Sequence, residues 1–160
     1  MMPNPIEKVG TKKDHLQKFK KNWECNNFMS TLIKEPGDWD PSWENFKPEE
    51  LQCSHCQALK IHSDIMDLLQ EARGELGPMS ITSGYRCSEH NNNVSSTGPN
   101  GPHTTGKAVD ISVRDSQHRK QIITYFSPIV TGLGIAKSFI HIDLLNEEDG
   151  FEMRPNSWVY

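Results

Sequence analysis

The chain has no long hydrophobic run. Nowhere in its 160 residues does an apolar stretch approach the roughly 18 needed to cross a bilayer. The mean hydropathy of −0.67 points the same way, so a helical membrane span is excluded. The opening residues Met1-Met2-Pro3-Asn4-Pro5 lack the apolar stretch of a secretion signal, and no signal peptide is expected. Apolar residues are scarce overall: 34%, plus 11 glycines, falls short of the roughly 45–50% usual in globular domains. Such a composition supports one lean core, which a metal or cross-link would supplement. Internal repeats and low-complexity tracts are missing too, which excludes a solenoid. Positive charge is not in excess: 17 Lys+Arg against 21 Asp+Glu argue against a general nucleic-acid binder.

What is present is unevenly spread. Residues 1–21 hold six lysines against Glu7 and Asp14. They read as a solvated basic arm that could also touch anionic polymers or lipid headgroups. Leu16, Phe19, Trp23 and Phe28 predict a helix over about residues 14–33, broken by Pro36-Gly37. Trp39, Trp43 and Phe46, set among prolines, predict an ordered loop over Asp38–Pro48 that packs its aromatics on the main domain. Residues 1–45 thus read as arm and helix, and 46–160 as the functional domain.

Ile65, Leu68, Leu69, Ala72 and Leu76 share one face of a helix over Asp64–Leu76, with Ser63 as N-cap and Gly77-Pro78 as its end. Strands are expected over Met79–Thr82, Ala108–Val113 and Ser138–Leu144, and a helix over Ser116–Phe126. Between Gly84 and Lys107 the run of Asn, Ser, Gly and Pro predicts a long functional loop. The tail carries Trp158 and Tyr160, which are expected to dock it. The sum is an α+β domain with a small, mostly antiparallel sheet and flanking helices.

Seven histidines and four cysteines are the surplus. His103 closes the long loop, Asp110 lies in a predicted strand, and His141 lies in Phe139-Ile140-His141-Ile142-Asp143. Alternation there puts Phe139, His141 and Asp143 on one face. Two histidines, one carboxylate and an open position form a catalytic zinc set, which suits amide hydrolysis. The plainer alternative is a satisfied core histidine and a strand aspartate bonded to a loop.

Three runs occur in order: Ser83-Gly84-Tyr85-Arg86, then His103-Thr104-Thr105-Gly106-Lys107-Ala108-Val109-Asp110-Ile111, then Phe139-Ile140-His141-Ile142-Asp143. Over about residues 46–160 they closely resemble the zinc D-Ala-D-Ala carboxypeptidase family of peptidoglycan peptidases. That family shares its fold with the hedgehog signalling domain. The likeness is greatest to a branch of short phage and prophage proteins. It implies His103, Asp110 and His141 as zinc ligands. It also implies Arg86 as the holder of a substrate carboxylate or carbonyl oxygen, beside Ser83 and Tyr85 as substrate contacts. A rigid guanidinium fork is the right shape for a terminal carboxylate.

Two positions depart from the family pattern. Gly101 stands where a serine is frequent, two residues before the first histidine. Ser138 stands where many members carry an acidic general base, three residues before the last one, and a serine cannot take that role. Asp143, on the face of His141, is the expected substitute.

Cys53-Ser54-His55-Cys56 and Cys87-Ser88-Glu89-His90 form a CxxC and a CxxH. They admit a structural zinc on Cys53, Cys56, Cys87 and His90, a disulfide from Cys87, or free thiols. Cys25 has no evident partner.

The expected function is hydrolysis of peptidoglycan stem peptides by a monomeric zinc peptidase, with a non-catalytic zinc-fold binding module as the rival. The phage likeness implies synthesis in a host cytoplasm before release to the wall, or carriage on a virion.

Overall fold

A computed structural model of the chain describes residues 30–160, and before them only Gln17, which is helical. The helix expected over residues 14–33 therefore lies largely outside the described residues. Its last part is not helical: Leu32–Ile33 is a strand, β1. The chain divides into two compact units, Met1–Ser30 and Thr31–Tyr160, and only the second is described further.

In that unit β1 pairs antiparallel with β2 (Ile61–His62). Between them Trp43 and Phe46 are buried, and Trp39 meets Trp43 edge-on at 5.1 Å. Trp43 Nε1 donates to Asp67 Oδ1 at 2.7 Å, anchoring the aromatic loop to the long helix below. A short helix, α1 (Pro48–Leu51), follows the loop.

The long amphipathic helix α2 spans Ser63–Leu76 and buries Ile65, Met66, Leu68, Leu69 and Ala72. Its N-cap is His62 rather than Ser63. Ser63 Oγ is engaged elsewhere, accepting from the Thr31 amide at 2.9 Å. At the other end Gly77 adopts φ +80° and ψ −161°, a positive-φ conformation open to glycine, which stops the helix without a Cβ penalty.

A five-stranded sheet follows, in the order β3 (Ile81–Ser83), β4 (Ala108–Ser112), β6 (Phe139–Asp143), β5 (Gly132–Ile135), β7 (Asn156–Val159). All pairs are antiparallel except β5 with β7. Helix α4 (Ser116–Phe126) packs on β6 and on α2. Val109, Ile111, Ile140 and Ile142 form the buried face of the sheet.

Three elements differ from expectation. The stretch between Gly84 and Lys107 is not one loop, because Ser88–Val94 forms a helix, α3, N-capped by the Cys87 sulfur. Strand β5 has little signal in the sequence, because glycine at two of its four positions weakens strand propensity. The tail does more than dock, since β7 adds a parallel edge strand.

Two glycines in this frame should respond oppositely to alanine. A Cβ at Gly84 would come within 2.6 Å of the Leu51 backbone, whereas Gly74, inside α2, faces open space. Gly84→Ala should cost about 1–3 kcal/mol. Gly74→Ala should add about 0.5–1 kcal/mol. Urea denaturation of the two variants checks both signs.

Candidate metal centre and substrate cavity

The candidate residues meet along one row across the sheet. Ser83 pairs with Asp110, Asp110 with His141, His141 with Gly134, and Gly134 with Trp158. Side chains opposite one another on antiparallel strands share a face, so one register sets Asp110 and His141 side by side. The 3₁₀ turn Pro102–Thr104 delivers His103 to the same place.

His103 Nε2, Asp110 Oδ1 and His141 Nδ1 form a triangle with edges of 3.1, 3.0 and 3.2 Å. The remaining atoms of each group are already committed. His103 Nδ1 donates to the Gly84 carbonyl at 2.7 Å, which leaves Nε2 as a lone pair. His141 Nε2 faces Asp143 Oδ2 at 2.8 Å, which turns Nδ1 into the triangle. Asp110 Oδ2 is held by Arg86 Nη2 at 3.2 Å. With both imidazoles neutral, three acceptors converge in a buried place, so the arrangement calls for a cation.

The pKa directions express that demand. Burial depresses His103 and outweighs its bond to Asp110. Burial also opposes charge on His141, but its bonds to Asp110 and Asp143 prevail and raise it. Asp110 is held well below the ordinary carboxylate range: burial would raise it, and the two histidines more than offset that. A proton is one cation that could sit here, and a metal ion is the other. Tetrahedral zinc with bonds near 2.0–2.1 Å has ligand–ligand edges of about 3.3 Å, close to this triangle, and two imidazoles with one carboxylate suit it chemically. The donor set fits zinc.

All three groups line an open cavity of about 890 Å³. Among the described residues lining it, Asp110 is the one carboxylate. Arg86 is also there, its Nε donating to Ser83 Oγ at 2.9 Å and its Nη1 to Asn91 Oδ1 at 3.3 Å. Tyr85 is not. It lines a smaller neighbouring cleft, with Lys60 Nζ 5.8 Å from its ring centre. Ser83 and Arg86 line that cleft as well as the main cavity, whereas Tyr85 lines only the cleft, so an expected substrate contact falls outside the main cavity.

The proton-acceptor role expected of Asp143 meets a geometric obstacle. Its side chain is fully buried, and both oxygens are taken. Oδ2 meets His141 Nε2 and Arg154 Nη2, each at 2.8 Å, while Oδ1 accepts from Arg154 Nε at 3.0 Å and the Leu145 amide at 3.3 Å. It stands behind the imidazole, on the edge away from the triangle. Ser138 is exposed, with its carbonyl accepting from the Val113 amide. The glycine at 101 also has a physical reason. A Cβ there would overlap Thr97 Oγ1 and Asn91 Nδ2, which fill the space that a serine side chain would occupy.

Sequence reasoning misses Arg154 and Asn91. Arg154 sits in an irregular segment with no motif around it, and only the fold brings it to Asp143. Trp158 packs 5.3 Å from the His141 ring, and Arg154 lies 4.8 Å from the Trp158 ring centre.

In the cysteine cluster, the sulfurs of Cys53, Cys56 and Cys87 lie within 4.8 Å of one another, and none is in a disulfide. His90 Nδ1 lies 3.4 Å from Cys53 Sγ. Burial raises the Cys53 thiol, but backbone amides of Cys87, Cys56 and His55 outweigh it and bring it down to about 6.

Residues 44–143 match the family model of Peptidase M15. The chain belongs to the peptidase M15 family. The match holds the triangle, Arg86 and the three clustered cysteines, and stops before Arg154 and Trp158. No curated protein and no solved structure matches the chain. No helix among the described residues is long and apolar enough to cross a membrane.

The carboxyl of Asp143 is held below its ordinary value, chiefly by His141 and Arg154 working against burial. Folded, it therefore binds a proton less readily than unfolded. Its stabilising contribution is present above the ordinary carboxylate range and is lost as pH falls toward the folded value. For chelator-treated protein, the urea midpoint should drop below about pH 5. In Asp143→Asn the midpoint should be lower at neutral pH and its acid dependence shallower; an unchanged slope would place the acid sensitivity elsewhere.

Proposed function

We propose that this M15 peptidase is zinc-dependent and cleaves peptide bonds in the stem peptides of bacterial peptidoglycan. The observation that carries the reading is the triangle of His103, Asp110 and His141 lone pairs on an open cavity, with Arg86 beside it. The substrate class rests on the resemblance to the D-Ala-D-Ala carboxypeptidases. So does the phage-type setting, in which the chain works on a host wall after release from the cytoplasm or from a virion.

Zinc, when bound, would supply a water of lowered pKa and polarise the scissile carbonyl. The chain's own groups do the rest. Gly84 and Asp143 fix the two imidazoles by holding their outer N–H groups, so that Nε2 of His103 and Nδ1 of His141 stay available. Arg86 steadies Asp110 with one N–H of Nη2 and meets Asn91 with one of Nη1. Each terminal nitrogen has a second N–H that can address a substrate carboxylate or the carbonyl oxygen as charge develops on it. In this reading Asp143 positions His141 and does not receive the proton.

The lack of a free carboxylate in the described cavity lining favours one second reading, a zinc-fold module that binds wall peptides without cleaving them. Mass spectrometry of purified muropeptides incubated with zinc-loaded protein decides between them. Loss of terminal D-Ala or scission of the stem, abolished by chelator, is the expected result. Binding without any cleavage across stem types would establish the second reading.

Two substitutions refine the roles. Asp143→Asn should weaken zinc affinity by about 10–100-fold, as expected for a group that orients a ligand. Unchanged affinity with turnover down by about 10²–10⁴ would restore it as the base. Arg86→Lys keeps the charge and loses the fork. If Arg86 clamps a free C-terminus, the loss of about 1–3 kcal/mol should appear on free-acid peptides and not on amidated ones. Equal loss on both would mean that Arg86 serves the oxyanion or the hold on Asp110, and would favour an endopeptidase.

A further inference from the structure

We propose that Cys53, Cys56, Cys87 and His90 hold a second, structural zinc ion, separate from the His103–Asp110–His141 centre and independent of the peptidase reading. Two segments distant in sequence supply its parts. Cys53 and Cys56 follow α1, Cys87 caps α3, and His90 lies in the first turn of that helix.

The three sulfurs are grouped as in a metal knuckle, and His90 adjoins one of them. The three sulfurs lie within 4.8 Å of one another, and tetrahedral zinc with bonds near 2.3 Å spaces its sulfurs by about 3.8 Å. His90 Nδ1 stands 3.4 Å from Cys53 Sγ, where a sulfur–nitrogen edge of the same tetrahedron is about 3.6 Å. The backbone is wrapped to suit thiolates. Cys53 Sγ accepts from the Cys87 amide at 3.4 Å, and Cys87 Sγ from the His90 amide at 3.5 Å. The 53–58 turn closes on itself through Gln57 N to Cys53 O and Cys53 N to Ala58 O, with Gln57 at φ +61°. A non-glycine residue in that conformation is uncommon, and here it folds the CxxC back so that both sulfurs face Cys87.

His55 is the competing fourth ligand, its Nδ1 3.6 Å from Cys87 Sγ. It is exposed, within the turn itself. His90 is half-buried on a helix whose first turn already faces the sulfurs, so less freedom is lost on binding, and the structure assigns it the fourth place. An ion there would tie the segment after α1 to the turn carrying Gly84 and Arg86, both of which hold groups of the other centre.

The test uses the full chain with the other centre disabled by His103→Ala. Wild type should carry about two zinc ions after dialysis and His103→Ala about one, by elemental analysis. Adding the exposed Cys56→Ser, which leaves the buried Cys53 in place, should bring the count near zero. Cobalt loaded into His103→Ala should give thiolate-to-cobalt charge-transfer absorption that Cys56→Ser removes. His90→Ala should shift the cobalt d–d bands, and His55→Ala should leave them unchanged. A metal-free His103→Ala, a cobalt spectrum without thiolate bands, or a mass two hydrogens light from an oxidised cysteine pair would each overturn the site. Sensitivity to His55→Ala instead of His90→Ala would overturn the assignment of the fourth ligand. If His103→Ala and wild type each retain one zinc, the cysteine site stands and the triangle's claim to a metal fails. One ion in wild type and none in His103→Ala would overturn the cysteine site and leave the triangle as the metal centre.

Discussion

Three acceptors that must not face one another without a positive charge are the constraint around which this sheet is organised. A single strand register, Asp110 opposite His141, brings Asp110 Oδ1 to 3.0 Å from His141 Nδ1, and the Pro102–Thr104 turn adds His103 Nε2 at 3.1 and 3.2 Å from them. A slip of one residue by either strand would send its polar side chain to the apolar face and its isoleucines into the site. The hydrophobic pattern of β4 and β6 is therefore what keeps the site in register. The lean core and the polar cluster are two faces of one pairing.

The second constraint is room. Across the next row of the sheet Ala108, Asp143, Gly132 and Asn156 stand opposite one another. Alanine and glycine on either side leave space for the Asp143 carboxylate and the Arg154 fork. A Cβ at Gly132 would overlap both Asp143 oxygens, and one at Gly134 would press on Trp158. The buried Asp143–Arg154 pair is poor evidence for stability, since burying both charges has a large desolvation cost. Its effect is orientation: it holds the proton of His141 on the outer nitrogen.

Much of this is legible in the residues. Helix α4 agrees with its sequence reading because Asp115 caps it and Ile122 and Phe126 share a face. The Phe139–Asp143 alternation is as clean as a strand signal becomes, and by itself it aligns His141 with Asp143. What alternation cannot show is which edge of a ring a neighbour meets. Asp143 reaches the outer nitrogen of His141, on the edge of the ring away from the triangle. Helix α3 is hidden because Asn and Ser predominate in it, and its start depends on a sulfur cap. Strand β5 is hidden because its glycines serve neighbours rather than propensity. Arg154 cannot be found at all, since nothing local marks it.

The edge strand β7 runs parallel to β5 and carries the chain out beside the cavity, whose lining includes Trp158 and Tyr160. The wall on that side lies beyond the matched family segment, yet its Arg154 holds Asp143 and its Trp158 packs on His141, so it bears on the matched residues. It is also a threshold. Any polypeptide joined after Tyr160 begins at the rim, where its first residues would compete with an incoming peptide for the same aromatic surface.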